Sequence, residues 1–258
     1  MKELSSFLKS IKTIKHGFYT NKGGVSKGNF SSLNCSPFTG DDPKNVDENL
    51  SRVCSDQKCE KNKLYIARQT HGNTAVTISS PEESFKKKAD GIVTNVSGIS
   101  IGILTADCAP ILMVDPYAKV IGAAHAGWKG ALGGIIDSTV EKMMALGARP
   151  NRIIAGIGPC IGSNSYEIGS DLFDKFILEN KENDRFFSKN YNGGKRKFNL
   201  SKYVLANLHT VGIREVEALE IDTFPSSTPF FSHRKAQENG EIDSGRQISI
   251  ISLLLAKD

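Results

Sequence analysis

The stretch that decides the fold is ISIGILTADCAPILMVDPYAKVIGAAHAGWKGALGGII, residues 99–136. Ile99–Leu104 and Ile111–Val114 are apolar runs that contain β-branched residues and flank the motif TADCAP. Because the first run is nearly continuous in apolar residues, it predicts a strand that is buried on both faces. A turn at Asp-Pro then precedes a third predicted strand, which begins at Val120–Ala124.

The rest of the chain continues with strands and helices in irregular alternation. After HAG at 125–127, apolar residues at helical spacing predict one helix that ends at Gly147. Residues 178–197 are charged and contain glycine, and they predict an exposed excursion. The same periodicities predict further strands at His16–Tyr19, Leu64–Ala67, Ala75–Ile78, Ile92–Thr94, Arg152–Ile157, Glu215–Ile221 and Gln247–Leu255. They also predict further helices that begin at Pro43 (capped by Asp42), near Ser170 and near Ser201.

This pattern favours one domain over two. No internal repeat and no Pro- or Ser-rich linker divides residues 1–258. Several predicted strands follow one another directly, which favours a single α/β (α+β) domain with mixed sheets over a doubly wound fold. Residues 1–15 carry Leu4, Phe7, Leu8 and Ile11 at helical spacing, and we expect a short N-terminal helix or arm.

Composition narrows the classes of function. Of the 258 residues 39% are hydrophobic and 24% are charged, and the net charge is +5. We expect no membrane span, because the apolar runs fall well short of about 20 residues, and no secretory signal. The basic clusters at 86–88 and 195–197 lack interleaved aromatic residues, so we expect no nucleic-acid partner.

The cysteines indicate the redox compartment. There are five, Cys35, Cys54, Cys59, Cys108 and Cys160, and their odd number and irregular spacing do not describe a disulfide framework. We therefore expect reduced thiols and a cytoplasmic protein.

Three residues at the ends of predicted strands could carry chemistry: His71, Cys108 and His125. Two imidazoles and one thiolate match a catalytic zinc site, which commonly has three protein ligands and an open position. The same atoms allow another interpretation, in which Cys108 is a nucleophile, His125 is its base, and Asp107 or another acid orients the imidazole. A lone buried cysteine is more often inert, and a lone histidine at a turn more often only makes hydrogen bonds.

Other residues could bind an anion or a planar ligand. In HAGWKGALGG the glycines, the helix N-terminus and Lys129 could hold phosphate, although a glycine-rich turn also serves close packing. Near the C-terminus, His233, Arg234 and Arg246 could reach an anion in the same cleft. Trp128 could stack on a planar ligand.

Several motifs occur in an order that resembles one known family. QTHG, ADGIVTN, TADCAPILMVDP, AAHAGWKG, GPCIG…YEIG, FNL and FFSHR…GRQ run from about residue 16 to the C-terminus. Together they resemble the YfiH family, also called laccase-domain or peptidoglycan editing factor proteins. The sequence departs from the family pattern at Asn49-Leu50, where Asn-Arg is common, and at DTFPSST (222–228), where a Cys-Thr pair is common.

The resemblance implies a single α/β domain whose mixed sheets are sandwiched by helices. It also implies a metal, usually zinc, at His71, Cys108 and His125. The implied activity is phosphorolysis of adenosine, inosine and methylthioadenosine, together with adenosine deamination. Nucleoside and phosphate would be the partners of a monomer or homodimer.

Three alternatives remain open. One is a Cys/His hydrolase that edits peptidoglycan precursors, and another is an interaction protein with a structural metal. A third is a copper-dependent polyphenol oxidoreductase, the activity in the family's older name. A multicopper oxidase needs several HxH pairs, whereas this chain has five histidines and no HxH. A single His2Cys copper site remains open, because copper favours the same ligands.

Overall fold

The computed structural model describes residues 2–80, 87–189 and 194–255. Of the basic cluster at 86–88, Lys86 therefore lies outside the described residues. The strands are β1 (Lys2–Glu3), β2 (Ile14–Tyr19), β3 (Leu64–Ile66), β4 (Ala75–Ile78), β5 (Gly91–Thr94), β6 (Ser100–Thr105), β7 (Ala109–Asp115), β8 (Val120–Ala126), β9 (Ile154–Ile157), β10 (Glu167–Ile168), β11 (Arg196–Lys197), β12 (Glu215–Ala218) and β13 (Gln247–Leu253). The helices are α1 (Ser6–Lys9), α2 (Pro43–Gln57), α3 (Trp128–Leu132), α4 (Ile135–Ala145), α5 (Ser170–Glu179), α6 (Leu200–Thr210) and α7 (His233–Glu238).

The long strands form two mixed sheets. One sheet has the order β1-β2-β13-β6-β3 and the other has the order β12-β9-β7-β8-β5-β4. Strand β6 pairs antiparallel with β13 and parallel with β3, and strand β5 pairs antiparallel with β8 and parallel with β4. The predicted α/β domain with mixed sheets is therefore confirmed.

The sheets pack face to face and helices cover their outer faces. Ile101, Ile103, Leu112 and Ile121 lie in the apolar layer between the two sheets. The outer face of the six-stranded sheet packs against α4 and α6, and Val53 of α2 lies on the outer face of the five-stranded sheet. This arrangement confirms the expected sandwich of sheets between helices.

The stretch 99–136 supplies the centre of both sheets. Strands β6, β7 and β8 are buried along their whole length, as the continuous apolar runs predict. On β8 the side chains alternate, so that Ala124 and Ala126 face the helices while Ile121 and Ala123 face the other sheet. His125 shares the inter-sheet face, and it lies near the end of the strand where the apolar layer gives way to polar residues.

Local sequence signals explain the helix ends. Helix α2 begins at Pro43 with Asp42 as its N-cap, and the Asp42 side chain accepts a hydrogen bond from the Lys44 N–H, so the predicted cap is confirmed. The single helix predicted after residue 127 is wrong, because Gly134 takes a left-handed φ of 86° and divides it into α3 and α4. The N-terminal α1 packs onto the domain through Leu8, which is fully buried.

The exposed excursion predicted for 178–197 is wrong for part of its length. Phe186 is buried, and its ring packs edge-on against Tyr203 of α6 with the ring centroids 5.2 Å apart. Phe187 stacks on Phe198 at 4.7 Å. Burial of the two aromatic rings is favourable, and the charged side chains around them can remain in water at the surface. The segment is therefore partly buried although its composition is mostly polar. Of this segment, 190–193 lie outside the described residues.

None of the helices in the described ranges is both long enough and apolar enough to cross a lipid bilayer.

Candidate metal centre and active site

Three loops and strand ends bring His71, Cys108 and His125 together. His71 follows β3, Cys108 lies between β6 and β7, and His125 is the penultimate residue of β8. Their ligand atoms all lie within 4.8 Å of one another. The two imidazole rings meet edge to face, with centroids 4.7 Å apart. The three residues, which are far apart in sequence, are therefore adjacent in the fold.

A buried carboxylate, Asp90, positions both histidines. Its Oδ1 lies 2.8 Å from His125 Nδ1 and accepts the His71 backbone N–H at 2.9 Å. Its Oδ2 accepts the Gly72 N–H at 2.8 Å and the Thr70 hydroxyl at 3.0 Å. Because Nδ1 of His125 is engaged, Nε2 remains as the nitrogen that could bind a metal.

Sequence reasoning missed this role of Asp90. The residue lies in ADGIVTN, one of the motifs that carry the family resemblance. The signal available in the sequence is an aspartate directly before a short apolar strand, since a carboxylate that such a strand carries into the interior needs partners. The partners come from residues 18 or more positions away, so the sequence could not name them.

Gly127 gives the cluster its space. A Cβ at this position would lie 2.9 Å from Cys108 Sγ and 3.3 Å from His71 Cδ2. The glycine therefore permits the close approach of the thiol and the imidazole. Helix α3, which follows it, has only five residues. The packing interpretation of the turn is the one that the geometry supports.

The protein environment favours charged forms of Cys108 and His125. Burial opposes ionisation of the Cys108 thiol, but the charge of His125 and hydrogen bonds from both histidines lower the thiol pKa to about 6. Burial likewise opposes protonation of His125, but the Cys108 thiolate and the Asp90 carboxylate raise its pKa to about 9. A low-pKa thiol is what either metal ligation or nucleophilic attack requires.

The cluster opens into a cleft of about 520 Å³. One part of its wall is aromatic and another part is cationic. The lining includes Ser36, Phe38, Arg68, Gln69, Thr105, Asp107, Trp128, Tyr166, His233, Arg234, Gln237 and Arg246 in addition to the three clustered residues.

The structure divides the predicted anion-binding residues into two groups. His233, Arg234 and Arg246 line the cleft, whereas Lys129 is exposed and does not line it. Lys129 is the second residue of α3 and is exposed, whereas the adjacent Trp128 lines the cleft. Spacing along the sequence could not distinguish the two directions.

Asp107 does not orient His125. Its Oδ1 accepts the Thr223 hydroxyl at 2.7 Å, and its Oδ2 accepts the backbone N–H of Arg234 at 2.7 Å. The acid that contacts His125 is Asp90. Asp107 has a left-handed φ of 84°, and it ties the loop that carries Cys108 to the start of α7.

Residues 15–254 match the family model described as "Multi-copper polyphenol oxidoreductase laccase". A purine nucleoside phosphorylase of Pseudomonas aeruginosa is 31% identical over 87% of this chain and 89% of its own. Another, of Bacteroides thetaiotaomicron, is 30% identical over 95% of this chain and 94% of its own. A third, of Deinococcus radiodurans, is 43% identical over 163 residues, which are 63% of each chain.

Solved structures agree with this result. The crystal structure of the hypothetical protein YfiH of Bacillus licheniformis has a TM-score of 0.88 and 28% identity, and the match covers 96% of this chain and 95% of that one. YlmD of Geobacillus stearothermophilus has a TM-score of 0.84 and 25% identity, with 95% and 93% covered. Since the family model and these relatives match along most of its length, the protein belongs to the YfiH, or laccase-domain, family.

Proposed function

We propose that the protein is a metal-dependent purine nucleoside phosphorylase that also deaminates adenosine. Its substrates would be adenosine, inosine and methylthioadenosine, which phosphate cleaves to the free base and the sugar 1-phosphate. The observation that carries the proposal is the three-ligand cluster of His71, Cys108 and His125 beside the arginines of one cleft. The curated relatives named purine nucleoside phosphorylase support the same activity.

The residues present fit a zinc ion. Two imidazoles and a thiol of lowered pKa provide three donors, as in catalytic zinc sites that keep one position open. Asp90 fixes His125 through Nδ1, and Gly127 leaves the space that the donors need. When bound, zinc would supply a positive charge that stabilises developing negative charge and lowers the pKa of a water molecule.

Arg246 would hold the phosphate in the cleft. Its Nη1 donates to the Ser244 carbonyl at 2.5 Å and to the Gly245 carbonyl at 2.9 Å, which fixes the guanidinium plane. Its Nη2 makes a long ion pair of 3.8 Å with Asp243. A guanidinium fixed on one side can present its other N–H groups to an anion in a defined direction.

Two further groups would complete the binding of phosphate. Burial and the positive charge of Arg246 lower the pKa of His233, and His71 lowers it further. His233 lines the same cleft as Arg246 and the clustered ligands. Within the described chain the buried hydroxyl of Thr105 has no hydrogen-bond partner, and Thr105 lines the cleft. A ligand oxygen would satisfy that hydroxyl.

The aromatic wall suits a purine. Trp128, Tyr166 and Phe38 line the cleft, and Phe38 is 54% exposed at its edge. A flat purine base can stack on such rings, because its faces need few polar contacts. In phosphorolysis the bond from the sugar C1′ to the base breaks as a phosphate oxygen bonds to C1′, and the base leaves with the electron pair. A cation or proton donor beside the base stabilises that charge.

The reaction and the metal are tested together. The purified protein is analysed for zinc and copper, and adenosine, inosine and methylthioadenosine are each incubated with and without phosphate. Base released only with phosphate supports phosphorolysis, and inosine formed from adenosine without phosphate supports deamination. Cys108→Ala should remove both the metal and the activity, whereas Cys59→Ala, outside the cleft, should remove neither.

The same experiment separates the alternatives. Full activity in metal-free protein would overturn the metal-dependent reaction. Rapid alkylation of Cys108 in metal-loaded protein would favour the Cys/His hydrolase, for which the contacts of Cys108 with both histidines and of His125 with Asp90 are also suitable. Bound copper with oxidation of a phenol would favour the activity in the family model's description, although the described residues offer one three-ligand cluster and no second.

We also propose a cytoplasmic location. All five cysteines are free thiols in the structure, as a reducing compartment would leave them.

A further inference from the structure

Helix α2 ends in a Schellman motif that has a cysteine at each of its two contact positions. The Cys59 N–H donates to the Cys54 carbonyl at 3.0 Å, and the Lys58 N–H donates to the Ser55 carbonyl at 3.1 Å. Lys58 has the left-handed conformation that the motif requires, with φ 56° and ψ 44°. In this motif the side chains of the first and sixth residues commonly touch. Here those two positions are Cys54 and Cys59, so the backbone of the motif brings two thiols to the same turn.

The two thiols differ in access and in acidity. Cys54 is buried, with 3% of its surface exposed, whereas Cys59 is half-buried. The neighbouring Cys54, with smaller contributions from Ser100 and the charge of Lys15, lowers the pKa of Cys59 to about 6 against the opposing effect of burial. The neighbouring Cys59 and burial raise the pKa of Cys54. Cys59 is thus the thiol that a solute can reach, and Cys54 is the buried thiol at the other contact position of the same motif.

We propose that Cys54 and Cys59 form a dithiol site that reacts with low-molecular-weight disulfides and closes reversibly to an intramolecular disulfide. First the Cys59 thiolate attacks one sulfur of the solute disulfide, which forms a mixed disulfide and releases one thiolate. The Cys54 thiol then loses its proton and attacks the Cys59 sulfur, which releases the second thiolate. The solute disulfide gains two electrons and the protein loses them, and two thiol protons pass to the released thiolates or to water.

This site is separate from the cleft. Neither Cys54 nor Cys59 lines the cleft that holds Cys108, so the proposal does not depend on the proposed function. A third cysteine, Cys35, lies in the same apolar cluster as Cys59. Cys35 is fully buried and its thiol contacts the Leu33 carbonyl at 3.6 Å, and burial raises its pKa. It therefore serves as a matched control for the pair.

The test uses the whole protein with glutathione disulfide as the probe. After incubation, free thiols are blocked with N-ethylmaleimide and the protein is denatured and digested with trypsin without reduction. Because Arg52, Lys58 and Lys61 are cleavage sites, the proposed disulfide joins two separate peptides, VCSDQK (53–58) and CEK (59–61). Mass spectrometry of the wild-type protein should find this joined pair, and dithiothreitol should separate it.

Three variants assign the roles. Cys54→Ser should accumulate a stable glutathione adduct on Cys59, because no thiol remains to displace it. Cys59→Ser should leave Cys54 unmodified, and Cys35→Ser should form the joined peptides as the wild type does. The proposal is overturned if wild-type Cys59 remains unmodified, if its glutathione adduct persists as it does in Cys54→Ser, or if Cys59 is joined to another cysteine. The wild-type result does not depend on the folding of any variant.

Discussion

The contacts of Asp90 make Asp90→Asn the most informative substitution. Asp90 is fully buried, and its two oxygens accept hydrogen bonds from His125, His71, Thr70 and Gly72. An asparagine keeps one oxygen and turns the other into an NH2 group. With the oxygen kept toward His125, this NH2 group faces the Gly72 N–H, which lies 2.8 Å from the present Oδ2.

The structure sets the size of two effects of Asp90→Asn. Loss of a charged hydrogen bond and of a satisfied buried donor should cost about 2 to 4 kcal/mol of unfolding free energy. Loss of the carboxylate behind His125 should weaken metal binding about 10- to 100-fold, as for other groups that orient metal-bound histidines. The second effect corresponds to about 1.4 to 2.7 kcal/mol.

Asp115→Asn is the matched control for this substitution. Asp115 is also fully buried, and it accepts backbone N–H groups from Tyr117, Ala118 and Arg149 at the opposite end of β7 from Cys108. Urea unfolding should show that both variants are destabilised, while competition with a zinc chelator should show weaker zinc binding for Asp90→Asn alone. Equal zinc affinity of the two variants would refute the positioning role of Asp90.

Three further predictions concern the same site. Gly127→Ala should reduce zinc affinity, because its Cβ would lie 2.9 Å from Cys108 Sγ. Gly169→Ala is the control, because Gly169 is also a helix N-cap with similar φ and ψ but has open space around it, and its zinc affinity should not change. Equal zinc affinities of the two variants would contradict this prediction. In metal-free Cys59→Ser protein, the rate of Cys108 alkylation by iodoacetamide should rise with pH around a midpoint near 6. Only the thiolate attacks, and the pKa of the Cys108 thiol is about 6. A midpoint above about 8 would count against the ion pair with His125. In steady-state assays, Arg246→Ala should raise the KM for phosphate by about tenfold or more and leave the KM for inosine within about twofold. An unchanged KM for phosphate would show that Arg246 does not bind phosphate.

The sequence alone predicts much of the architecture, because local physics dominates there. Strands β6, β7 and β8 follow from apolar runs that only a doubly covered sheet can bury. The start of α2 follows from a capping aspartate and a proline that needs no hydrogen-bond partner. The break between α3 and α4 was missed, because a pair of glycines within an apolar periodicity does not reveal which of them takes a positive φ.

The candidate site was only partly visible in the sequence. His71, Cys108 and His125 were selected by their residue types, by their positions at strand ends and by the resemblance to a family. The identity of the acid behind His125 and the direction of Lys129 were not accessible in this way. A carboxylate finds its partners through the packing of separate strands, and Asp90 and Asp107 are both acids that precede or follow short apolar runs.

The sequence by itself determined that strands β6, β7 and β8 are buried, that Asp42 caps α2, and that His71, Cys108 and His125 have the chemistry of metal ligands. Only the tertiary structure decided that these three meet within 4.8 Å, that Asp90 holds two of them, and that Arg246 and His233 share their cleft while Lys129 does not. Burial and capping depend on neighbours along the chain, which periodicity records. Convergence depends on the register between strands that are distant in sequence, and no local pattern encodes that register.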